Sequence, residues 1–463
     1  MSMSTAEPLI PTNFPLDIVR KMGTKSDETL QKLITLDQYL SGEQPLSWIA
    51  PEIAASTEGR LRSLVIGWPR LVISAVEERL DVEGFRAPGN DKPDAALWSI
   101  WQKNNLDEMS QLGHFDALAY GRSFALVWAD SNGEPVITVE SPKQVCIQRY
   151  PGSKVVQYAV KRWIADNKGH AVLFTESKVY KFQSIGNVPA EDFPSYGSGW
   201  ERTNTLDNPL GVVPVVPLVN SPRVLTPDGQ SELHDLLPIF DGLNKLFTDL
   251  MVSSEFGALP RRWATGIDIP EKKDPLTGQP TGEVSTEDIF SNLPGRVWLS
   301  ENPDSKLGEF QGADLHGFSN AIATLTQALG ALSSLPPHYL GLHGDQPASA
   351  DAIRSAEASL VAKCRRKQRV FSGAWEQVMR LAHTIQVGRF MPELERLETL
   401  WSSPETRSVA QAVDAAAKAV DAGLMSSDFA AEFYLGLTPT QIERNRELRR
   451  ASALDSAVVG LIE

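Results

Sequence analysis

Three observations predict an α+β fold divided into several lobes. Apolar residues recur at helical spacing over Thr24–Ala119 and again from Asp235 onward, whereas the stretch between them, Ser123–Val219, switches to a spacing of two. A polar excursion, Gly266–Phe310, rich in Pro, Gly, Lys, Asp and Glu, interrupts the second helical region. The chain has 463 residues, more than one hydrophobic core organises.

Thr24–Leu40 is the first predicted helix, with Thr24 and Asp27 at capping-box spacing and Leu30, Leu33, Ile34 and Leu40 as its stripe. Leu61–Asp81 follows, and Pro69 inside it predicts a kink or two pieces. Asp94–Ala119 is helical again, with Gly113 and Asn104–Asn105 predicting a break. Strands are then predicted at Ser123–Ala129 and Pro135–Glu140, joined by the turn Asp130-Ser-Asn-Gly133. Val145–Arg149, Val155–Trp163, Ala171–Glu176 and Lys178–Gln183 continue as an antiparallel meander. Gly186–Pro209 reads as a surface loop, and Val212–Val219 as a last strand.

Asp235–Phe256 organises the second half. Leu236, Ile239, Phe240, Leu243, Leu246, Phe247, Leu250 and Met251 fall on one buried stripe. Asp235 can cap this helix, and Pro238 then sits in the first turn, where a missing N–H costs nothing. Within the excursion, Val297–Leu299 can pair with Lys306–Phe310. Ala313–Leu340 returns as helix until Pro336-Pro337. A helix out, a small lobe and a helix back describe an arm that packs against copies of itself, or a helix pair in an ordinary core; the excursion itself reads as that lobe or as a disordered insertion. Gly341–Ser349 is a flexible loop, and a long helix runs over Ser349–Val387. That helix carries Lys363-Cys-Arg-Arg-Lys-Gln-Arg369, which places Lys363, Arg366 and Lys367 near one face. Such a run is a solvated face, a surface for a neighbour's acidic residues, or a surface for DNA phosphates. Val409–Ala422, ended by Gly423, and Gln441–Ala453, opened by the capping box Thr438–Gln441, form a C-terminal helical unit.

Composition is that of a globular protein, with 42% hydrophobic and 22% charged residues. No apolar run approaches the roughly 18 residues of a membrane span, and Met1–Pro15 lacks the pattern of a secretory signal. The two cysteines, Cys146 and Cys364, fit a reducing compartment and offer no disulfide framework. The balance is acidic, with 44 Lys and Arg against 58 Asp and Glu, a net charge of −14. A protein that grips nucleic acid shows the opposite excess, because neutralising phosphates supplies most of that affinity. Signatures of nucleotide, zinc and esterase chemistry are missing: no GxxxxGK[ST], GxGxxG after a strand, HExxH or GxSxG occurs. Gly23-Thr-Lys-Ser26 lacks the upstream glycine and the preceding strand of a phosphate loop. The seven histidines show no metal-ligand spacing.

Several segments, in order, resemble the portal proteins of tailed bacteriophages, especially those infecting actinobacteria. They are Tyr39-Leu-Ser-Gly-Glu-Gln-Pro-Leu46, Val82-Glu-Gly-Phe85, the segment Trp101–Asp107, Asp116-Ala-Leu-Ala-Tyr-Gly-Arg-Ser123 and Gly211-Val-Val-Pro-Val-Val-Pro217. Further along stand Gly229-Gln-Ser-Glu-Leu233, Asp241-Gly-Leu-Asn244, Leu335-Pro-Pro-His-Tyr-Leu-Gly341, Ser349-Ala-Asp-Ala-Ile-Arg354 and Ala356-Glu-Ala358. Each is weak alone; their order and spacing, from about Tyr39 to about Leu448, carry the resemblance.

The resemblance implies a non-enzymatic ring, typically of twelve subunits, at one vertex of the capsid, through which double-stranded DNA is packaged and ejected. It implies a wing over residues 1–230, stem helices at 231–265 and 313–340, a clip at 266–312, a tunnel loop at 341–349, a long wing helix region at 350–400 and a crown at 401–463. The tunnel loop would bring Gly341, Leu342, His343, Gly344, Asp345 and Gln346 to the DNA channel, and the clip would offer Glu271, Lys272, Lys273 and Asp274 to the terminase. Lys363, Arg365, Arg366 and Lys367 would make intersubunit pairs or sit at the wing–channel boundary rather than read bases. The implied partners are the chain itself, terminase, the major capsid protein and scaffold, a head-completion adaptor and passing DNA. No cofactor, metal or membrane is implied, and the place is the virion after assembly in the host cytoplasm. Two other classes stay open at this point: a cytosolic multi-domain enzyme with an unrecognised site, and a capsid scaffold or adaptor without a channel.

Overall fold

A computed structural model describes residues 14–45, 65–88, 93–189, 199–258, 262–266, 271–274, 277, 279–284, 303–309, 315–342, 349–405, 409–437 and 441–450. The chain divides into two units, Met1–Ser402 and Ser403–Glu463.

The first unit opens with α1, Phe14–Ser41. It begins ten residues before the expected start, so Thr24 is interior, and its hydroxyl donates back to Arg20 O at 3.2 Å instead of capping. α2, Trp68–Glu77, carries Pro69 in its first turn, so the proline opens the helix rather than kinking it; residues 61–64 of the expected helix lie outside the described residues. β1 is Val82–Arg86. α3, Ala95–Lys103, is capped by Asp94, whose carboxylate accepts from Ala96 N and Leu97 N, and α4, Leu106–Tyr120, follows the break at Asn104–Asn105. α4 runs unbroken through Gly113, which lies close against Val139 and so has a packing role instead.

Two antiparallel sheets come next. β2, Arg122–Ala129, and β3, Pro135–Glu140, form the expected hairpin, its turn held by Asp130 accepting from Asn132 N and Glu134 N. β4, Val145–Arg149, β5, Val156–Ala165, β6, Lys168–Phe174, and β7, Lys178–Ser184, form the meander. The stretch expected as a loop over Gly186–Pro209 instead contains β8, Trp200–Asp207, paired with β7 at the sheet edge. β9, Val215–Val219, joins β2, giving the order β3-β2-β9 beside the five-stranded β4-β5-β6-β7-β8.

Alternation along the strands builds a layer on each side of the larger sheet. On one face, Cys146, Val160, Leu173 and Phe182 bury Val19, Met22 and Leu30 of α1. On the other, Val145, Ala159, Val172 and Phe174 meet Phe124, Val213 and Val215. Arg162 clamps the helix by donating to Asp27 at 2.6 Å and to Gly23 O at 3.3 Å, which gives the Gly23–Ser26 segment a packing role.

α5, Leu237–Ala258, begins two residues after Asp235 with Pro238 in its first turn. β10, Arg262–Thr265, β11, Glu271–Lys273, β12, Pro280–Val284, and β13, Lys306–Glu309, lie between the long helices, paired β10–β13 and β11–β12. Lys306–Glu309 therefore pairs with Arg262–Thr265; the expected partner Val297–Leu299 lies outside the described residues. α6, Leu315–Ser333, packs along α5, and a short 3-10 turn, Pro337–Leu340, ends the pair. α7, Ala350–Val387, starts at Ser349, whose hydroxyl accepts from Ala352 N. β14, Glu398–Trp401, returns to pair with β1. The main core lies around α7: Trp101 and Trp375 meet edge to face at 5.0 Å, and Phe85 packs on Trp101.

The second unit holds α8, Val409–Asp421, ended by Gly423 at φ +70°, then α9, Ser427–Leu435, capped by Ser426, and a helical stretch at 441–450. Ala412, Ala416, Ala419, Ala430 and Ile442 are its buried apolar residues.

Candidate functional site

Within the first unit, residues 229–232 meet the ends of α4 and α6 and the middle of α7. The backbone there is committed first. Gly121 ends α4 at φ +90°, and Gly229 follows β9 at φ +83°, a region that favours glycine. They face each other: a Cβ on Gly229 would meet Gly121 O at 2.2 Å and Asn220 O at 2.6 Å, and one on Gly121 would meet the Gln230 backbone at 3.0 Å. Glu232 N donates to Leu118 O at 2.9 Å and Ser231 Oγ to Ala119 O at 2.5 Å, so residues 229–232 are pinned to the end of α4.

This pinning fixes the Glu232 carboxylate beneath α7. Lys363 Nζ lies 2.7 Å from Glu232 Oε2 and donates to Ser333 O at 3.0 Å. Its positive charge thus sits on the carbonyl end of α6, where the helix dipole favours a cation. Lys367, one turn further along, donates to Asn220 Oδ1 at 2.6 Å, to Ser221 Oγ at 2.7 Å and to Glu232 Oε1. Asn220 Nδ2 in turn donates to Gln230 O at 2.7 Å and to Glu232 Oε1 at 2.9 Å. Burial opposes the charge on Glu232, but the Lys363 and Lys367 ammonium groups outweigh it and hold the carboxyl down at about 2. Burial pulls the Lys367 ammonium downward, with Glu232 opposing the fall.

A second junction ties the same helices to α2. Arg79 Nη2 donates to Tyr339 Oη at 3.0 Å and to Glu357 Oε1 at 3.2 Å, and His338 Nε2 lies 3.6 Å from that oxygen. Ser334 at φ +64° and Gly341 at φ +71° bracket the turn. Gly330 gives it room, since a Cβ there would meet Leu340 Cδ1 at 2.9 Å. On the other side of the pair, Tyr39 Oη donates to Asp241 Oδ1 at 2.7 Å, joining α1 to α5.

The basic run of α7 therefore divides. Lys363 and Lys367 point into the protein toward Glu232, whereas Arg365 and Arg366 are exposed. The single basic face expected from spacing does not form, because residues 363 and 367 lie on the face that α7 packs with. Of the expected tunnel-loop residues, Gly341 closes the 3-10 turn and Leu342 packs on the core, with Leu342 N donating to Pro337 O at 3.0 Å. His343, Gly344, Asp345 and Gln346 lie outside the described residues. Glu271, Lys272 and Lys273 form β11, and Asp274 N donates to Gln279 O at 2.9 Å where the strand turns toward β12. Glu232, Asn220, Arg79 and Glu357 are the residues that spacing did not single out; Glu232 and Lys367 are 135 positions apart. Among the described residues no group of three or more His, Cys, Asp or Glu is arranged to hold a metal ion, and no helix is long and apolar enough to cross a membrane.

A family model described as "Phage portal protein, SPP1 Gp6-like" matches residues 21–452 of this chain. A portal protein of Mycobacterium phage L5 is 35% identical over 371 residues, covering 76% of this chain and 72% of the relative. One from Mycobacterium phage D29 is 34% identical over 417 residues, covering 86% and 81%. Among solved structures, a chain in the neck of an empty GTA particle, computed with C6 symmetry, aligns with a TM-score of 0.51 at 14% identity, over 88% of this chain and 94% of that one; this likeness is one of fold.

Proposed function

The chain belongs to the SPP1 Gp6-like phage portal proteins, a structural and not a catalytic family, and from that premise we propose how its parts serve a ring. Copies of the chain close into a ring of about twelve around a channel at the unique capsid vertex, set by repeated side-by-side contacts of one kind. The wing is residues 1–230, with the long wing helix region at 350–400; the stem is 231–265 with 313–340; the clip is 266–312; the tunnel loop is 341–349; the crown is 401–463.

The observation that carries this reading is the α5–α6 pair. Met251, Leu315 and Leu332 are large apolar residues exposed on it in the single chain. Such surface on a long helical arm is what a neighbouring copy covers. The junctions at Glu232 and Glu357 brace the pair against α7, so force on the stem passes to the wing through ion pairs rather than through a loose linker.

The mechanism is mechanical. The clip, with Glu271, Lys272, Lys273 and Asp274, docks the terminase during packaging and the head-completion adaptor afterward. Gly341–Gln346 line the narrowest part of the channel. A net charge of −14 suits a conduit in which DNA must slide, because tight phosphate contacts would hold it. Arg365 and Arg366 face a neighbouring subunit or the channel boundary. The ring works with the major capsid protein and scaffold, and it is built in the host cytoplasm into the virion.

Native mass spectrometry of the purified chain, with negative-stain images of the same sample, tests the reading. Closed rings with a central hole wide enough for duplex DNA are expected. A compact dimer or tetramer without a channel would overturn it.

A further inference from the structure

Three cations meet around the end of β4. Arg149 closes that strand, Arg122 opens β2, and Lys25 reaches over from α1. Lys25 Nζ donates to Ile147 O at 3.1 Å and to Gln148 Oε1 at 3.3 Å, on the two residues before Arg149. Gln148 Nε2 in turn donates to Arg149 O at 3.1 Å. Asp228, between β9 and α5, pairs with Arg149 through one oxygen, and its other oxygen lies 3.5 Å from Arg122. Burial pushes the Cys146 thiol of β4 up to about 11, and Arg162, Lys25 and Arg122 pull against that rise, so Lys25 and Arg122 act on the same atom.

Among the described residues, Asp228 is the one carboxylate paired with any of these cations. Lys25, Arg122 and Arg149 against Asp228 alone leave a surplus of two positive charges, in a chain whose net charge is −14. The donors are also under-used. A guanidinium offers five N–H groups, yet Arg149 and Arg122 each approach Asp228 through a single terminal nitrogen. Their side chains are 13% and 15% exposed, so the protein holds them while water still reaches them. The frame is rigid. Gly229, beside Asp228, is wedged against Gly121 O and Asn220 O, and Gly121 directly precedes Arg122. Donors on such a frame keep their direction, so little order is lost when a ligand binds.

We propose that Lys25, Arg122 and Arg149 form a binding site for a doubly charged phosphate group, either free or terminal on a larger molecule. The fork of a guanidinium matches two phosphate oxygens, and an ammonium adds a point charge. A phosphate monoester carries about −1.5 to −2 at pH 7, which cancels the surplus. A phosphodiester inside duplex DNA carries one negative charge and leaves half of it. A carboxylate from another protein also carries one, and Asp228 already fills that role. The site does not depend on the ring reading, since every residue in it belongs to one chain.

Isothermal titration calorimetry of the full chain in chloride buffer, with inorganic phosphate as the probe, tests the site. Saturable binding at a single site per chain is expected. Arg149→Gln and Lys25→Gln should each weaken it by about tenfold or more, as the loss of one charge-assisted hydrogen bond implies. Asp228→Asn should tighten it, because the competing carboxylate is gone. A mere structural clamp would not give opposite signs at 149 and 228, since both variants break the same ion pair. Lys25 is half-buried on α1 and bonds only to β4, so its variant serves if either of the others fails to fold. Competition by a terminally phosphorylated DNA duplex, and not by the same duplex without terminal phosphates, supports the site and makes a DNA end its source. Competition by neither duplex supports it with free phosphate as the source. The absence of saturable phosphate binding to the wild type, binding unchanged in all three variants, equal competition by both duplexes, or binding of polyglutamate in place of phosphate would overturn it, and each would leave the ring reading intact.

Discussion

Lys367 and Glu232 hold each other inside the protein, in positions that neither charge would occupy alone. The Lys367 ammonium has three N–H donors, and three acceptors meet it: Asn220 Oδ1, Ser221 Oγ and Glu232 Oε1. Glu232 answers with its other oxygen to Lys363. A buried ion pair of this kind is weak proof of stability in itself, yet removing one member leaves an uncompensated charge. The cluster thus acts mainly as a fixed joint that sets where α7 lies over the end of α6.

Replacing Glu232 by Gln is expected to destabilise the first unit by about 3–5 kcal/mol, because two ammonium groups lose their counter-charge. The pH dependence gives a sharper check. Glu232 titrates at about 2 in the folded chain against an ordinary 4.5. The folded state therefore holds the carboxylate more strongly than the unfolded state does. This stabilisation is complete above about pH 4.5 and drains as pH falls toward 2, for roughly 3 kcal/mol in all. Urea unfolding of wild type and Glu232→Gln at a series of pH values should show two curves that converge on acidification.

Gly229→Ala tests the backbone contact beneath the same joint. The added Cβ would stand 2.2 Å from Gly121 O and 2.6 Å from Asn220 O, both backbone atoms that cannot swing away, at φ +83°. A loss above about 2 kcal/mol is expected, since the 1–2 kcal/mol of left-handed strain is joined by a steric clash. Gly341→Ala is the control: it shares a positive φ of +71° but would meet nothing within 4 Å. Its loss should stay near about 1 kcal/mol by the same thermal melt.

Much of this fold was legible because its signals are local. The Asp130 turn, the Asn104–Asn105 break, Ser349 as the start of α7 and the Leu236, Phe240 and Leu243 part of the α5 stripe each depend on residues within a turn or two of one another, whereas Met251, expected on the same buried stripe, is exposed. β8 was not legible, because an edge strand exposed along nearly its whole length carries no apolar alternation. Nor was the pairing of β1 with β14, which brings Val82 to Trp401. Lys363 and Lys367 misled in an instructive way. Helical spacing correctly places them on one face, but only the packing of α7 decides that this face looks inward, at a carboxylate more than a hundred positions earlier.

His114 lies flat on Phe371, with ring centroids 5.2 Å apart, and accepts a bond on Nε2 from Trp375 Nε1 at 2.8 Å. Burial pushes its pKa down to about 3 from an ordinary 6.5. As pH falls below 6.5 the unfolded chain takes up a proton that the folded chain refuses, so stability is present above 6.5 and drains between 6.5 and about 3. His114→Phe removes that drain but leaves the Trp375 N–H without its acceptor, at a cost of about 1–3 kcal/mol. The variant should be less stable than wild type near pH 7 and lose less on acidification; parallel curves would count against the assignment.

The division of the α7 basic run gives the last prediction. Lys363→Ala removes both the pair with Glu232 and the cation at the carbonyl end of α6, so it should lower the melting temperature of the isolated chain. Arg365→Ala with Arg366→Ala changes exposed positions and should move stability by no more than about 0.5 kcal/mol per site. If those arginines face a neighbouring subunit, the double variant should instead reduce ring yield, and more so at low salt, where charge contacts are least screened. Measuring melting temperature and ring fraction on both variants separates the two roles. A double arginine variant that assembles and packages DNA as wild type does would remove the intersubunit role and leave residues 365 and 366 as an ordinary solvated face.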